Sequence, residues 1–254
     1  MMSTRPFSLL RSGSPVYNRV FWLVFSANTT LVLANALTFR FAEFVRFLGG
    51  TEQLTGILVG SGALAAIAVR LKLGDDIDTC GVRRLWMTST ALFVTGCGLL
   101  VLTTSLSWVL YVARIAFSVG MAGMFTCSMV CIQNAVPADR RTEAIGSLGT
   151  SGFVGMIAGV LLGDLVFSAL PDGSTRYTIL FGGALALGVV YLVIVLFVTR
   201  DDSPRPTRTN PSVFYLVFRY WPGSVMLVAL VMGTGLAVTT VFLTRMATAR
   251  NIDG

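Results

Sequence analysis

Long apolar runs alternate with short polar stretches along the whole chain. Each run has about 20 residues, which lets a helix cross the roughly 30 Å hydrocarbon core of a bilayer. Only a few residues separate the third run from the fourth, so these two helices should be antiparallel neighbours. The pattern predicts an all-α membrane protein with seven spans, over residues 20–39, 54–71, 85–103, 106–131, 144–167, 177–199 and 223–243.

The composition agrees with a chain that lies in a membrane. The sequence is 54% hydrophobic and 12% charged, with a mean hydropathy of +0.77, and soluble domains carry about twice that charged fraction. The net charge of +7 could suggest a nucleic-acid-binding protein, but the arginines lie in short connections between apolar runs and form no basic soluble surface. We therefore expect the lipid bilayer as a partner and no nucleic acid.

The basic residues also predict the orientation of the chain. Most of the 19 Lys and Arg residues lie before the first run or in connections on that same side, and such residues are retained in the cytoplasm. We expect a multi-pass protein of the inner membrane with a cytoplasmic N-terminus. A cleaved signal peptide is an alternative for the first run, because residues 34–36 read Ala-Asn-Ala, but the apolar run continues beyond them.

Residues 70–84 carry the clearest motif of the sequence, RLKLGDDIDTCGVRR. Its glycines permit tight turns, so we predict a cytoplasmic loop between the second and third spans. An ordinary charged connector that follows the positive-inside rule would also account for the charges. The arrangement resembles the signature loop of the major facilitator superfamily, with matching positions at Gly74, Asp78, Gly81, Arg83 and Arg84.

The resemblance covers nearly the whole chain and implies a fold. Members of that superfamily have twelve spans in two pseudosymmetric bundles, with the substrate site between them. It implies a six-helix first bundle in residues 1–199, a cytoplasmic linker in 200–221 and the first helix of an incomplete second bundle in 222–254. Spans 8–12 of the second bundle would be missing, as in a fragment or a truncated gene product. It further implies that Asp78 docks against the second bundle.

The fourth span contains Arg114, which the topology places within the bilayer. An arginine at membrane depth is costly enough that a functional role is the default hypothesis. It shares a helical face with Ser118, Met121 and Phe125. Residues 114–123, RIAFSVGMAG, resemble the helix-4 motif of the superfamily. The alternative is an arginine whose side chain extends to the outer headgroups.

Asn28 and Asn35 lie seven residues apart in the first span, and therefore on one helical face. Polar side chains are costly against lipid, so this face should turn toward a cavity or another helix. Substrate contact and hydrogen bonding between helices account for the pair equally well. Together with the four residues on the Arg114 face, the two asparagines form the predicted substrate-binding set.

Four glycines form a stripe along one face of the fifth span, at Gly152, Gly155, Gly159 and Gly163. Such a stripe lets the backbone of a neighbouring helix come close. It is similar to the helix-5 motif of superfamily antiporters. Simple packing between helices explains the stripe equally well, so we assign it to helix packing.

The residue types that are absent exclude several kinds of chemistry. The sequence has no histidine, which excludes a Ser-His protease, a histidine-ligated zinc protease and a haem site with histidine ligands. Three of the four cysteines fall within predicted spans, which favours packing over a disulfide framework. No carboxylate lies deep in a span, so we expect no proton-coupling site in these residues. We expect no enzyme activity, no cofactor and no bound metal.

The resemblance to the major facilitator superfamily implies an alternating-access secondary transporter for a small solute. The helix-4 and helix-5 resemblances favour efflux of a drug-like or metabolite molecule. Uptake of a small anionic nutrient, held by Arg114, is the main alternative. A membrane sensor or scaffold with the same fold, which binds a ligand without moving it, is a third hypothesis.

Overall fold

A computed structural model describes residues 16–171, 173–199, 223–224, 227–228 and 230–235. The chain falls into two compact units that divide between Arg208 and Thr209, and each unit is described by itself. The first 15 residues, the predicted linker at 200–221 and most of the predicted seventh span lie outside the described residues.

The first unit is a bundle of seven α-helices within its described ranges, and a short 3₁₀ turn (Ala138–Arg140) precedes the sixth. Six of its helical segments are long and apolar enough to cross a membrane, and the first of these combines α1 with the short α2. The predicted all-α membrane fold is confirmed. The helices are α1 (Arg19–Leu37), α2 (Phe41–Phe47), α3 (Glu52–Cys80), α4 (Val82–Leu102), α5 (Trp108–Ala135), α6 (Arg141–Ala169) and α7 (Ser174–Val198).

The described residues of the second unit are helical at position 224, at 227–228 and at 230–235. The Thr234 hydroxyl donates a hydrogen bond to the Leu230 carbonyl, one turn earlier. This helical stretch falls within the range predicted for the seventh span.

Side-chain caps explain where two of the long helices begin. The Asn18 side-chain oxygen accepts a hydrogen bond from the Phe21 N–H at 2.8 Å, which starts α1. Thr51 starts α3 in the same way, through the Leu54 N–H at 3.2 Å. Asn and Thr are preferred here because they satisfy an N–H that has no partner inside the helix. The Asn18 amide also donates to the Ala135 carbonyl at 3.3 Å, which joins the start of α1 to the end of α5.

The segment 70–84 differs from its predicted structure. α3 continues through Cys80 and α4 begins at Val82, so Gly81 alone separates them. Gly81 has φ +84°, a left-handed conformation that glycine adopts readily, and the turn predicted there is right. Apart from Gly81, the loop predicted over residues 70–84 is wrong, because residues 70–80 and 82–84 are helical, and the turn predicted at Gly74 is wrong for the same reason.

The length of α3 explains this difference. Its 29 residues correspond to about 43 Å at 1.5 Å per residue, whereas the hydrocarbon core is about 30 Å thick. The last turns therefore extend beyond the apolar layer, where exposed polar residues such as Asp75 stay in contact with water. The end of the apolar run thus marks the edge of the membrane, and the helix itself ends later.

Two glycines bring α4 and α5 into backbone contact. A Cβ placed on Gly96 would lie 2.6 Å from the Phe117 backbone nitrogen, and one on Gly120 would lie 2.5 Å from the Phe93 backbone nitrogen. No larger residue fits at such distances without moving a helix. The rings of Phe93 and Phe117 pack beside this contact with their centroids 4.9 Å apart. The prediction that the third and fourth spans are neighbours is confirmed.

The glycine stripe of α6 faces α1. A Cβ on Gly155 or on Gly159 would lie 2.5 Å from an atom of α1. The stripe is looser at its two ends, because a Cβ on Gly152 would meet only a side-chain atom at 4.0 Å and one on Gly163 would meet nothing within 4 Å. The middle of the stripe is therefore where α1 and α6 approach most closely.

A buried hydrogen bond joins α4 to α7. The Trp86 indole N–H donates to the Tyr191 hydroxyl at 2.7 Å, and both side chains are fully buried. Tyrosine and tryptophan carry large apolar rings with one polar atom each, so the bond removes the cost of burying both polar atoms. This pair fixes α7 against the centre of the bundle.

The bundle has two distinct ends. We call the end with the α3–α4 turn the Gly81 end, and the end with residues 38–51, 103–107 and 170–171 the α2 end. At the α2 end, Arg40 forms ion pairs with Glu43 at 3.0 Å and with Asp164 of α6 at 2.6 Å. Its guanidinium also lies 4.0 Å above the centre of the Phe167 ring. These contacts tie the connection between α1 and α2 to α6.

Candidate solute-binding site

Arg114 is the centre of the candidate site. It lies six residues into α5, about 9 Å from the start of the helix at the α2 end. Its guanidinium carbon is 4.9 Å from the centre of the Phe41 ring and 5.1 Å from that of Phe117. The Nε and Nη1 atoms are buried and have no hydrogen-bond partner. Because a buried charged donor without an acceptor costs more than the roughly 1–3 kcal/mol of a neutral one, this arrangement favours an incoming acceptor.

Gly62 lets α3 pack closely against the part of α5 that carries Arg114. A Cβ on Gly62 would lie 2.6 Å from the Ser118 hydroxyl oxygen and 3.1 Å from the Arg114 carbonyl oxygen. The face that carries Arg114 and Ser118 therefore packs against α3. Sequence reasoning placed these two residues on one helical face, and the structure shows that this face is a contact between α3 and α5.

Met121 and Phe125 continue this face toward the Gly81 end. Both are half-buried and pack against the main hydrophobic core, whose largest members include Trp86 and Phe93. Their side chains are thus partly engaged inside the bundle, and each leaves only part of its surface for a solute. Their role in substrate binding stays a prediction.

The two asparagines of α1 lie in different surroundings from Arg114. The Asn28 amide donates to the Ser151 hydroxyl of α6 at 2.7 Å, while its Oδ1 is buried without a partner. Asn35 is half-buried. Asn28 thus forms the hydrogen bond between helices that the sequence allowed as one interpretation, and its neighbour is α6, whereas Arg114 contacts α2, α3 and Phe117.

The structure also places the motif residues of segment 70–84. Gly74 and Asp78 lie in the last turns of α3, and Gly81 forms the break. Arg83 and Arg84 are exposed in the first turn of α4. All five lie at the Gly81 end, far along the bundle from Arg114, so they belong to a region separate from the candidate binding site.

Sequence reasoning missed the contribution of α2. The connection between the first two spans was predicted without internal structure, yet Phe41 of α2 lies against the Arg114 guanidinium. The signal was present in the apolar spacing of Phe41, Phe44, Val45 and Leu48, which follows the period of a helix. Seven residues are too few for the spacing alone to distinguish a helix from an irregular connection.

A cavity beside the candidate site was also missed. It has a volume of about 210 Å³ and lies at the α2 end, between the first turns of α3 and α5. Loops and helix starts form its wall, so no single periodic pattern in the sequence reveals it. Six residues line it, Leu54, Leu58, Leu106, Ser107, Leu110 and Tyr111.

Comparison with known proteins decides the family. The family model described as Major Facilitator Superfamily matches residues 13–253. The chain belongs to the Major Facilitator Superfamily. It is a multi-pass membrane protein, and the resemblance noted at residues 70–84 and 114–123 agrees with this assignment.

Two curated proteins of the superfamily are similar to this chain. An uncharacterised MFS-type transporter of Bacillus subtilis, YuxJ, is 28% identical over 159 residues, which cover 59% of this chain and 39% of the relative. A glucose transporter of Staphylococcus epidermidis, GlcP, is 29% identical over 174 residues, which cover 68% of this chain and 36% of the relative. The chain thus spans little more than a third of each relative. No solved structure matches it.

Proposed function

We propose that this chain forms the first helix bundle of an alternating-access secondary transporter whose small solute carries an acceptor group that Arg114 binds. The observation that carries the proposal is the buried guanidinium with two nitrogens that lack an acceptor. The rings of Phe41 and Phe117 offset part of the cost of burying the charge through cation–π contacts. A solute oxygen would supply the hydrogen bonds that the rings do not.

The charge of Arg114 favours an anionic solute over a neutral one. Arginine keeps its charge near neutral pH, and a hydrogen bond between charged groups is roughly twice as strong as one between neutral groups. A neutral sugar also offers acceptor oxygens, and one relative is named a glucose transporter. We therefore rank a small anion first and a sugar second. This ordering rests on the site, because the relative is similar over only part of its length.

The wider architecture follows the superfamily plan. We propose that residues 1–199 are the first bundle, that 200–221 are a cytoplasmic linker and that 222–254 begin the second bundle, with spans 8–12 completing it. The Gly81 end would face the cytoplasm, on the side of the N-terminus. Asp78 would then contact the second bundle when the transporter is closed on that side, with Gly74, Gly81, Arg83 and Arg84 shaping the surface around it.

The test is solute counterflow in proteoliposomes that contain the complete transporter. Labelled glucuronate and labelled glucose form a matched pair, because both are pyranose sugars and they differ chiefly in the carboxylate that replaces the C6 hydroxymethyl group. We expect saturable flux of the anion, and we expect Arg114→Gln to lower its binding by roughly 10- to 100-fold. Arg46→Gln, at an exposed arginine of α2, is the control and should behave as the unchanged protein.

The same assay separates the transporter from a sensor or scaffold. If the unchanged protein binds the solute but shows no counterflow, the transport proposal is refuted and a sensor is favoured. Equal binding by Arg114→Gln and the unchanged protein would refute the role of Arg114, and would leave the arginine as an anchor at the membrane surface.

Efflux of an amphipathic molecule is the second candidate function. The supporting observation is that Met121 and Phe125, on the face of Arg114, are only partly buried and keep some apolar surface available. Thioether and aromatic side chains adapt to varied apolar ligands. Everted vesicles that accumulate a labelled lipophilic solute against its gradient would support efflux, and accumulation only in right-side-out vesicles would contradict it.

A further inference from the structure

The cavity at the α2 end has a wall suited to an apolar group. Four of its six lining residues are leucines, and Tyr111 adds an aromatic ring. Its volume is about 210 Å³, and it is partly open on one side, whereas a closed apolar cavity of about 150 Å³ is large enough to bind benzene. The cavity is thus roughly the size of a phenyl ring with a short chain attached.

The cavity and Arg114 lie along the same contact between α3 and α5. Leu110 precedes Arg114 by four residues, and Leu58 precedes Gly62, which packs on Arg114, by four residues. Four residues of helix correspond to one turn, or about 6 Å along the axis. The cavity is therefore one turn nearer the α2 end than the arginine, on both helices.

The direction of the Arg114 side chain agrees with this placement. Side chains on a helix lean toward its N-terminus, and the N-terminus of α5 lies at the α2 end. The guanidinium accordingly reaches Phe41 of α2. Phe41 belongs to the same hydrophobic cluster as Leu58 and Leu110, two walls of the cavity. The aromatic ring that contacts the charged group thus belongs to the same cluster as two residues of the cavity wall.

We propose that the natural solute is an amphipathic anion, whose carboxylate pairs with Arg114 and whose apolar group fills the cavity. This inference rests on the proposed transport function and narrows its substrate class. The one-turn offset separates the backbone positions, and the Arg114 side chain extends toward the cavity, so a short spacer of about two carbons between the acidic group and the ring is sufficient. A hydrophilic anion would satisfy the arginine and leave the cavity empty.

Three probes separate the two halves of the site. We would measure equilibrium binding of labelled 3-phenylpropionate to the protein in nanodiscs, with propionate and 3-phenylpropan-1-ol as competitors. Propionate lacks the ring, and the alcohol lacks the charge. We expect both to compete at least tenfold more weakly than unlabelled 3-phenylpropionate. Equal competition by propionate would show that the cavity takes no part, and would overturn the proposal.

Three variants and one control then test which residues bind the carboxylate and which bind the ring. Arg114→Gln should lower the affinity for 3-phenylpropionate by about 10- to 100-fold. Arg114→Lys, which keeps the charge, should lower this affinity less. Leu106→Trp places a ring at the cavity wall, on a residue that is 39% exposed and so tolerates the change. It should bring 3-phenylpropionate and propionate to similar affinities. Leu102→Trp is the matched control, because Leu102 is 76% exposed and does not line the cavity.

The outcomes distinguish this inference from the transport proposal. Unchanged 3-phenylpropionate affinity in Arg114→Gln or in Leu106→Trp would overturn the amphipathic-anion assignment, even if glucuronate or glucose were transported. Binding of the probe without counterflow would refute transport and leave the binding site standing.

A membrane lipid could offer the same chemistry, an acidic headgroup with an apolar chain. Binding in detergent without lipid and in nanodiscs with phosphatidylglycerol separates the two sources. Equal affinity within about threefold supports a water-soluble solute. Loss of probe binding in the phosphatidylglycerol nanodiscs alone would identify lipid as the occupant and overturn the solute assignment.

Discussion

Gly96→Ala should loosen the contact between α4 and α5. The added Cβ would lie 2.6 Å from the Phe117 nitrogen and 2.9 Å from both the Ala113 oxygen and the Phe117 Cα. All three are backbone atoms, so no side-chain rotation relieves the clash. Carbon atoms pack best at about 3.5–4.0 Å, so the helices must separate locally by roughly 1 Å. A gap of that size forfeits a quarter to a half of the attraction between the atoms that it separates.

Gly98→Ala provides the matched control on the same helix. Its added Cβ would meet only the Leu185 Cδ1, at 3.9 Å, which is an ordinary contact. Both substitutions exchange glycine for alanine within a helix, so the gain of up to about 1 kcal/mol in helix propensity is common to them. The difference between the two variants therefore isolates the steric cost, which we expect to be about 1–3 kcal/mol.

Thermal unfolding in detergent measures this difference. For a chain of this size, 1–3 kcal/mol corresponds to a difference in Tm of roughly 2–12 °C. The double variant Gly96→Ala/Gly120→Ala should lose less stability than the two single variants lose together. One separation of the helices relieves both clashes. Equal Tm values for Gly96→Ala and Gly98→Ala would refute the close backbone contact between α4 and α5.

Two further substitutions and one labelling experiment test other parts of the bundle. Tyr191→Phe leaves the Trp86 indole N–H buried without its acceptor, and should cost about 1–3 kcal/mol in thermal unfolding; an unchanged Tm would contradict this. Asp164→Asn breaks an ion pair with Arg40 in which the aspartate side chain is 58% exposed, and should cost less than about 1 kcal/mol; a larger loss would give this pair a structural role. Cys80, which is exposed, should react with an impermeant thiol reagent in everted vesicles but not in intact cells; labelling from outside intact cells would reverse the proposed orientation.

The sequence predicted the spans well because one simple constraint governs them. A helix in a bilayer needs an apolar run of defined length, and the positions of the six long helices follow these runs closely. Helix ends were harder, as α3 shows, because water tolerates a polar helix as readily as a polar loop. The polar stretch before Gly81 thus carried no information about where the helix stops.

The candidate site was predicted only in part. Membrane depth singled out Arg114, and helical periodicity placed Ser118 beside it. Periodicity tells which residues share a face, but it does not tell which helix covers that face. For this reason the sequence does not predict that Gly62 and Phe41, which lie on other helices, contact Arg114. Asn28 shows the same limit, since its partner Ser151 is 123 residues away in the chain.

The single residue between α3 and α4 fixes the rotational phase of α4. A longer loop could accommodate an inserted or deleted residue. Gly81 is a single-residue connection between helices of 29 and 21 residues, so it cannot. One inserted residue would turn every later position of α4 by about 100° around its axis. Trp86 and Phe93 would then leave the core together, and Gly96 would no longer face α5. The turn at Gly81 therefore determines which face of α4 packs against the core and against α5.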